Sequence, residues 1–276
     1  MPMTLTDKTA VVTGAGQGLG KAIALAMARA GADIVACDIQ DDKLAELTQE
    51  IDALGRYCLP VRCDVSDRAA VDRMFADAAD RFGTVDILVN NAALVPSSPA
   101  DTERRNLHYA YMTTPMERRS LGITSSLTDQ DWLKWWEVNV HGVFYCTRAA
   151  LRHMEPQRHG RIVNISSVAG ISAASTHSPG YSASKAAVAS LTKTVALDVA
   201  GANILVNAIA CGGVLTPPFQ AYLDTAAPEQ LGSLYQMIPV GRLGTPEEYA
   251  SLAVYLAGDN HYLTGQIISP NGGLVI

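Results

Sequence analysis

The sequence predicts an α/β fold: one doubly wound parallel sheet with helices on both faces. Three observations predict it. Short β-branched runs alternate with longer helical patterns from the start of the chain. Most of these runs are hydrophobic throughout, as strands buried on both faces require. No linker, repeat or composition break divides the chain, so residues 1–276 read as a single domain.

Taken in order, residues 9–13 read as a buried strand and residues 19–30 as the helix after it. Residues 33–37 form the second strand, 43–54 a helix, 58–63 a strand, 69–82 a helix and 86–89 a strand. A helix at 132–154, a strand at 161–165 and a helix at 181–199 follow, and strands at 204–209 and 266–269 close the series. Two segments read as long loops. Residues 94–127 show no periodicity, contain Pro96, Pro99 and Pro115, and far exceed the usual connection of about 4–6 residues. Residues 211–234 follow the carboxyl end of a strand, where open α/β sheets bind ligands, and are expected to form a substrate loop.

Composition narrows the function. Apolar residues make up 48% of the chain and charged ones 17%, enough to fill a large core. The formal charge of −6, with no basic run, repels phosphate backbones and anionic membrane surfaces. Neither nucleic acid nor membrane is therefore expected as a partner. The five cysteines, Cys37, Cys58, Cys63, Cys146 and Cys211, are scattered and lack metal-ligand spacing. They read as buried thiols in a reducing compartment, with no metal site. Residues 1–7 do not resemble a signal peptide, and no apolar stretch is long enough to cross a bilayer, so the cytoplasm is expected.

The first strand runs into Thr13-Gly14-Ala15-Gly16-Gln17-Gly18-Leu19-Gly20 and then a helix. Glycines let such a turn tighten and approach a pyrophosphate, and the helix start offers N–H groups and partial positive charge. The literal G-x-G-x-x-G order is absent, because Leu19 and Lys21 stand where a third glycine would fall. Context strengthens the turn. Asp38 ends the second strand about 20 residues later, where a carboxylate accepts hydrogen bonds from adenosine ribose hydroxyls. Its charge would repel a 2′-phosphate, and neither Ala15, Gln17 nor Ile39 is basic, so NAD is the expected cofactor in a Rossmann-like sheet.

Tyr181-Ser182-Ala183-Ser184-Lys185 opens a helix of small residues. The spacing of four puts Tyr181 and Lys185 on one helical face. Lowering a tyrosine pKa of about 10 by about 3 units takes roughly 4 kcal/mol. A cation about 5 Å away at an effective dielectric of about 20 supplies roughly 3 kcal/mol. Burial opposes ionisation, while the positive ring of an oxidised nicotinamide favours it.

Together these elements resemble the short-chain dehydrogenase/reductase family over nearly the whole chain. Thr13-Gly14-x-x-x-Gly18-x-Gly20 matches that family's cofactor turn. Asn90-Asn91-Ala92-Ala93, Asn139, Ser167, Tyr181, Lys185 and residues 212–216 follow in the family's order. The resemblance implies that Tyr181 exchanges the substrate proton and Ser167, rather than Ser166, hydrogen-bonds the substrate oxygen. Lys185 lowers the tyrosine pKa and binds the nicotinamide ribose, and Asn139 holds a water linking Lys185 to solvent. It places Gly14, Gln17, Gly18, Leu19 and Gly20 at the pyrophosphate, Asp64 and Val65 beside the adenine, Asn91 and Ala92 along the cofactor, and Val214 and Thr216 at the carboxamide. Ala93, Cys211 and Asn271 replace the family's usual glycine, proline and aspartate. None of these changes removes a reacting group.

The substrate side is less defined. Residues 95–127 carry four arginines (Arg104, Arg105, Arg118, Arg119) against three acids, together with His108, Tyr109 and Tyr111. Either this segment closes over the site and contacts a polar or anionic substrate, or it is a solvated or subunit-contacting insertion. His177 and Tyr222 are further substrate candidates, His177 otherwise being a loop histidine without chemistry. The helices at 132–154 and 181–199 are apolar on more than one face. Through them the family forms dimers and tetramers, so a homo-oligomer is expected, a tetramer ahead of a dimer. The function expected is NAD-dependent oxidation of a secondary alcohol or reduction of its ketone. Its alternatives are an NADPH-dependent carbonyl reductase and a non-catalytic NAD-binding sensor or scaffold.

Overall fold

Seven strands lie side by side in one parallel sheet of order β3-β2-β1-β4-β5-β6-β7 in the computed structural model, which describes residues 5–173, 175 and 177–276. Residues 1–4 of the amino-terminal segment considered above lie outside the described residues. In chain order the elements are β1 (Thr9–Thr13), α1 (Gly18–Arg29), β2 (Asp33–Asp38), α2 (Asp41–Ala53), β3 (Cys58–Arg62), α3 (Arg68–Phe82), β4 (Ile87–Asn90) and α4 (Pro99–Thr113). Then come α5 (Asp129–Trp136), α6 (Val143–Gln157), β5 (Gly160–Ser167), α7 (Pro179–Val199) and β6 (Ile204–Cys211). The chain ends with α8 (Pro217–Thr225), α9 (Pro228–Gln236), α10 (Pro246–Ala257) and β7 (Ile267–Ile268).

The strand alternation divides the core. Val11 pairs in register with Val35 and with Leu88, and all three face α3 and α6 among Met74, Phe75, Cys146 and Met154. Ala10 and Val12 point the other way, toward Ile23 and Met27 of α1, Leu47 of α2 and Leu256 of α10. Both faces are thus buried, which is why the strand runs are hydrophobic without alternation. The strand order reverses between β1 and β4, and a crevice opens there beyond the strands' carboxyl ends. No helix among the described residues is long and apolar enough to cross a membrane.

A buried polar chain ties the sheet to the helices behind the site. The Asn90 amide donates to Asn164 Oδ1 (2.8 Å) and Thr147 Oγ1 (3.1 Å), and the Asn164 amide donates to Thr192 Oγ1 (2.9 Å). It fixes β4, β5, α6 and α7 relative to one another.

Three expectations need correction. Residues 94–127, expected as an extended loop, contain α4. Its start is a capping box: Ser98 Oγ accepts from Asp101 N–H, the Asp101 carboxylate accepts from Ser98 N–H, and Pro99 occupies the first turn. The apolar stripe that marks most helices is missing because α4 buries Asp101 and Arg105 instead. The substrate loop, residues 211–234, holds α8 and most of α9. The helix expected at 132–154 is interrupted at Glu137–Gly142 by a π-helical turn, a feature frequent at functional sites. Helix α10, with its Thr245/Glu248 capping box, was not among the expected elements.

Ser98→Ala removes the cap oxygen and is expected to cost about 1 kcal/mol of stability, with amide exchange rising selectively over α4. Uniform exchange across the chain would contradict this role.

Candidate active site

The cleft at the strand reversal has a volume of about 1270 Å³, larger than one small ligand needs. Its first wall is the turn between β1 and α1. Gly18 has φ +56°, a left-handed conformation that side chains rarely adopt. A Cβ on Gly20 would collide with the Gly14 carbonyl and the Asn91 amide. Asn91 Nδ2 donates to Thr13 O (2.9 Å) and Gly14 O (3.1 Å), so its side chain pins the turn. Thr13, the first residue of the turn motif, accepts from Asn91 N–H and Ala92 N–H, both at 3.0 Å, through its hydroxyl. Gln17 precedes α1 without making a side-chain cap, which leaves the N–H groups of the helix start available to an anion.

Asp38 ends β2 with only 7% of its surface exposed. Oδ2 accepts from Gly16 N–H at 2.8 Å and Oδ1 from Gln40 N–H at 3.1 Å. Oδ1 also accepts from Gln40 Nε2 at 3.5 Å, so Oδ2 is the oxygen that keeps a lone pair for a ligand. Asp64 closes a tight turn by accepting from Ser66 N–H and Ser66 Oγ (2.9 and 2.7 Å). Gly14, Gln17, Gly18, Leu19, Gly20, Asp38, Asp64, Val65, Asn91, Ala92, Val214 and Thr216 all line this one cleft.

The reacting end lies where α7 crosses the ends of β5 and β6. Tyr181 and Ser167 line the cleft together, with Ser167 favouring the ionised phenol, and the Tyr181 ring meets Trp135 edge-on at 5.7 Å. Ser166 Oγ instead donates to Lys185 O (2.9 Å) and is buried, so Ser167 is the serine that faces the phenol. Lys185 Nζ donates to Ile165 O at 2.9 Å and lies 5.9 Å from the Tyr181 ring centre. Burial pushes Tyr181 up to about 12, against the pull of Ser167. Burial also pushes Lys185 down to about 8, opposed by Cys211 beside it. The protein groups alone therefore hold the phenol protonated through burial, whereas the expected lowering included the positive charge of an oxidised nicotinamide.

Asn139 is fully buried on the π-helical turn. Its Oδ1 accepts from Leu94 N–H (2.7 Å), and its Nδ2 donates to Leu94 O (3.1 Å) and Ser184 Oγ (3.2 Å). This side chain anchors the segment after β4 to α7. Ser184, unforeseen as a site residue, completes the link by donating to Tyr181 O at 2.7 Å.

Of the substrate candidates, the structure brings three together. Arg105, His177 and Tyr222 line the cleft beside His108 and Tyr109. The Arg105 guanidinium lies 5.0 Å from the centre of the Tyr222 ring, and the rings of Tyr109, edge-on, and His108, tilted, lie 6.3 and 6.1 Å from that of His177. Arg104 does not line the cleft and pairs with Asp101 at 2.7 Å. Neighbouring residues on a helix point about 100° apart, so only one arginine of the pair can face inward.

Comparison with known proteins decides the family. The profile described as short chain dehydrogenase matches residues 8–226. The chain belongs to the short-chain dehydrogenase family. It is 36% identical to the 3-oxoacyl-[acyl-carrier-protein] reductase FabG of Thermotoga maritima, over 99% of this chain and 100% of the relative. It is 35% identical to the (2S)-[(R)-hydroxy(phenyl)methyl]succinyl-CoA dehydrogenase subunit BbsD of Thauera aromatica, over 98% of each. Among solved structures, 7α-hydroxysteroid dehydrogenase complexed with NADH and 7-oxo glycochenodeoxycholic acid superposes with a TM-score of 0.82. That structure is 31% identical, with 99% of this chain and 96% of the other covered. Levodione reductase superposes with the same score, 0.82, at 28% identity and 97% coverage of both chains. As in the family generally, the chain is an oxidoreductase that binds a nicotinamide cofactor and acts on a small molecule.

The buried lysine of this short-chain dehydrogenase makes stability depend on pH. With a folded pKa of about 8 against an ordinary 10.5, Lys185 loses its proton in the folded state first. The unfolded chain then binds more protons between those values, so stability rises with pH across that window. Relative to Lys185→Met, the wild type should gain about 3 kcal/mol between pH 8 and 10.5 in chemical denaturation. A constant difference would show that Lys185 titrates normally.

Proposed function

We propose that the chain is an NAD-dependent short-chain alcohol dehydrogenase/reductase, acting on the CH–OH group of a secondary alcohol or on the corresponding ketone. The substrate class is a polyol, cyclic alcohol or hydroxylated metabolite. The observation that carries this reading is the meeting of Tyr181, Ser167 and Lys185 in one cleft, Lys185 one helical turn along from Tyr181, with Asp38 lining the same cleft.

The residues fit the cofactor. The uncapped start of α1 and the side-chain-free surface of Gly14, Gly18 and Gly20 suit a pyrophosphate, with Gln17 and Leu19 beside it. The carboxylate of Asp38 suits the two ribose hydroxyls of NAD and repels a 2′-phosphate. Asp64 and Val65 flank the adenine, Asn91 and Ala92 border the path of the dinucleotide, and Val214 and Thr216 hold the carboxamide. When bound, the nicotinamide accepts or delivers the hydride, and its oxidised ring adds a positive charge beside Tyr181. In reduction, Ser167 donates a hydrogen bond to the substrate oxygen and Tyr181 gives it a proton, for which the protonated phenol is already in the required state. In oxidation Tyr181 takes that proton, and Lys185, bound to the nicotinamide ribose, favours the phenolate electrostatically. Asn139 keeps α7 and Leu94 in place around this centre.

A homo-oligomer, a tetramer before a dimer, is part of the proposal. Phe144 of α6 and Leu197 of α7 are exposed, Leu197 to 85%, on the two helices expected to pair. Light scattering at the mass of one chain, 29.3 kDa, would contradict it. The five unpaired thiols suit the cytoplasm, where we place the enzyme.

The test is a panel of polyols, cyclic alcohols, steroids and hydroxy acids, read by NADH formation and repeated with NADP. Turnover with NAD well above that with NADP is expected. The opposite preference would make the protein an NADPH-dependent carbonyl reductase, and no turnover with either would favour a sensor or scaffold.

A further inference from the structure

We infer that the substrate carries a carboxylate, bound by Arg105 in the α4 wall of the cleft with His177 as a second hydrogen-bonding group. The inference rests on the dehydrogenase reading above and narrows its substrate.

Arg105 is only 9% exposed, yet lines the cleft. Its guanidinium has five N–H donors, of which one NH2 group donates to Pro96 O at 2.7 Å. Tyr222 covers its face. Among the described residues no carboxylate forms an ion pair with it. The nearby acid, Asp101, is held by Ser98 and by Arg104. Asp101 is thus matched by Arg104, and the guanidinium left without a carboxylate is the one that lines the cleft. An uncompensated buried charge is costly, and an anionic ligand removes that cost.

His177 supplies the independent observation. It is 5% exposed, lines the same wall, and its buried Nδ1 has no partner within the protein. Burial, with the charge of Arg105 next, pushes its pKa down to about 4. The ring is neutral at physiological pH and acts as a hydrogen-bonding group, not a second cation. Its other charged and titratable neighbours are His108, Tyr109, Asp101 and Arg104. His108 is itself held below its ordinary value by burial. One net positive charge with a planar fork of donors suits a carboxylate, which it can bind in two-point fashion. A doubly charged phosphate would be left half neutralised.

A purely structural role is the competing account, because Arg105 stacks on Tyr222, and Tyr222 Oη reaches Asn106 Oδ1 at 3.4 Å, so together they latch α8 to α4. The experiment separates the two. Straight-chain oxo acids with the ketone at increasing distance from the carboxylate are compared with their methyl esters, using NADH and the full-length enzyme. The acids should be reduced with kcat/KM at least ~10-fold above their esters, the difference lying in KM. Arg105→Met should raise KM for the preferred acid ~30-fold or more while leaving kcat for the ester within ~3-fold. Arg105→Lys should restore part of the preference, and NADH fluorescence checks that each variant keeps its cofactor site. Equal constants for acid and ester overturn the carboxylate subsite while leaving the dehydrogenase reading intact, and so does an equal loss for both in Arg105→Met. If nothing in the panel turns over, calorimetric titration of the NADH-loaded enzyme with glutarate decides. Binding abolished in Arg105→Met upholds the subsite and removes the activity reading, whereas no binding overturns the subsite.

Discussion

Replacing Tyr181 with phenylalanine is expected to lower kcat/KM by about 10²–10⁴-fold, the range a positioned general acid or base contributes. The ring itself stays in place. It packs edge-on against Trp135, and the neighbouring Lys185 is held by its own bond to Ile165 O. Only the hydroxyl is lost, together with its interaction with Ser167. The stability change should stay near 1 kcal/mol, and NADH affinity should move little. Since the protein holds the phenol protonated up to about 12, ketone reduction below that pH should not wait on Tyr181 ionisation. Oxidation must drive the proton off and should rise with pH. Ser167→Ala should fall in the same direction, whereas Ser166→Ala, whose hydroxyl serves Lys185 O, should affect stability more than turnover.

The second large effect concerns cofactor choice. Asp38 stands buried in the cleft, held by Gly16 and Gln40 N–H groups, so under the proposed NAD reading it could not swing away from an incoming 2′-phosphate. Two like charges about 4 Å apart at an effective dielectric of about 20 repel by roughly 4 kcal/mol. Solvent reaching the cleft reduces this, and a preference for NAD of about 10²-fold or more in kcat/KM is expected. Asp38→Asn keeps the shape and the acceptor oxygen while removing the charge. Most of that preference should vanish, chiefly through a lower KM for NADP. An unchanged preference would place the discrimination elsewhere.

Much of the sheet was readable because each inner strand is buried on both faces and writes itself as a hydrophobic run. The strand at residues 9–13 is an example. The cofactor turn and the Tyr181/Lys185 pair were also legible, since their geometry is set by residues four or fewer positions apart. Helix α4 was not, because it turns polar residues inward. Its one local sign was Ser98-Pro99-Ala100-Asp101, the capping box with proline in the first turn. Without that helix nothing distinguished Arg105, which faces the cleft, from Arg104, which faces Asp101. The meeting of Arg105, His177 and Tyr222 joins segments separated by dozens of residues, and no local pattern encodes it. The Asn139 bonds to Leu94, 45 positions away, are hidden for the same reason. The size of the burial effect on Tyr181 was not legible, because pairwise attraction can be estimated from spacing, whereas desolvation depends on everything packed around the group.

The central claim is that this cleft transfers a hydride to a carbonyl carbon with Tyr181 supplying the proton. The most direct measurement uses NADH labelled with deuterium on the reactive nicotinamide carbon and follows the product by NMR. The wild-type enzyme should place deuterium on the new carbinol carbon, and Tyr181→Phe should still bind NADH but transfer the label at least about 10²-fold more slowly. Label absent from the carbinol carbon of a turned-over ketone, or transfer at the full rate by the phenylalanine variant, would contradict the account.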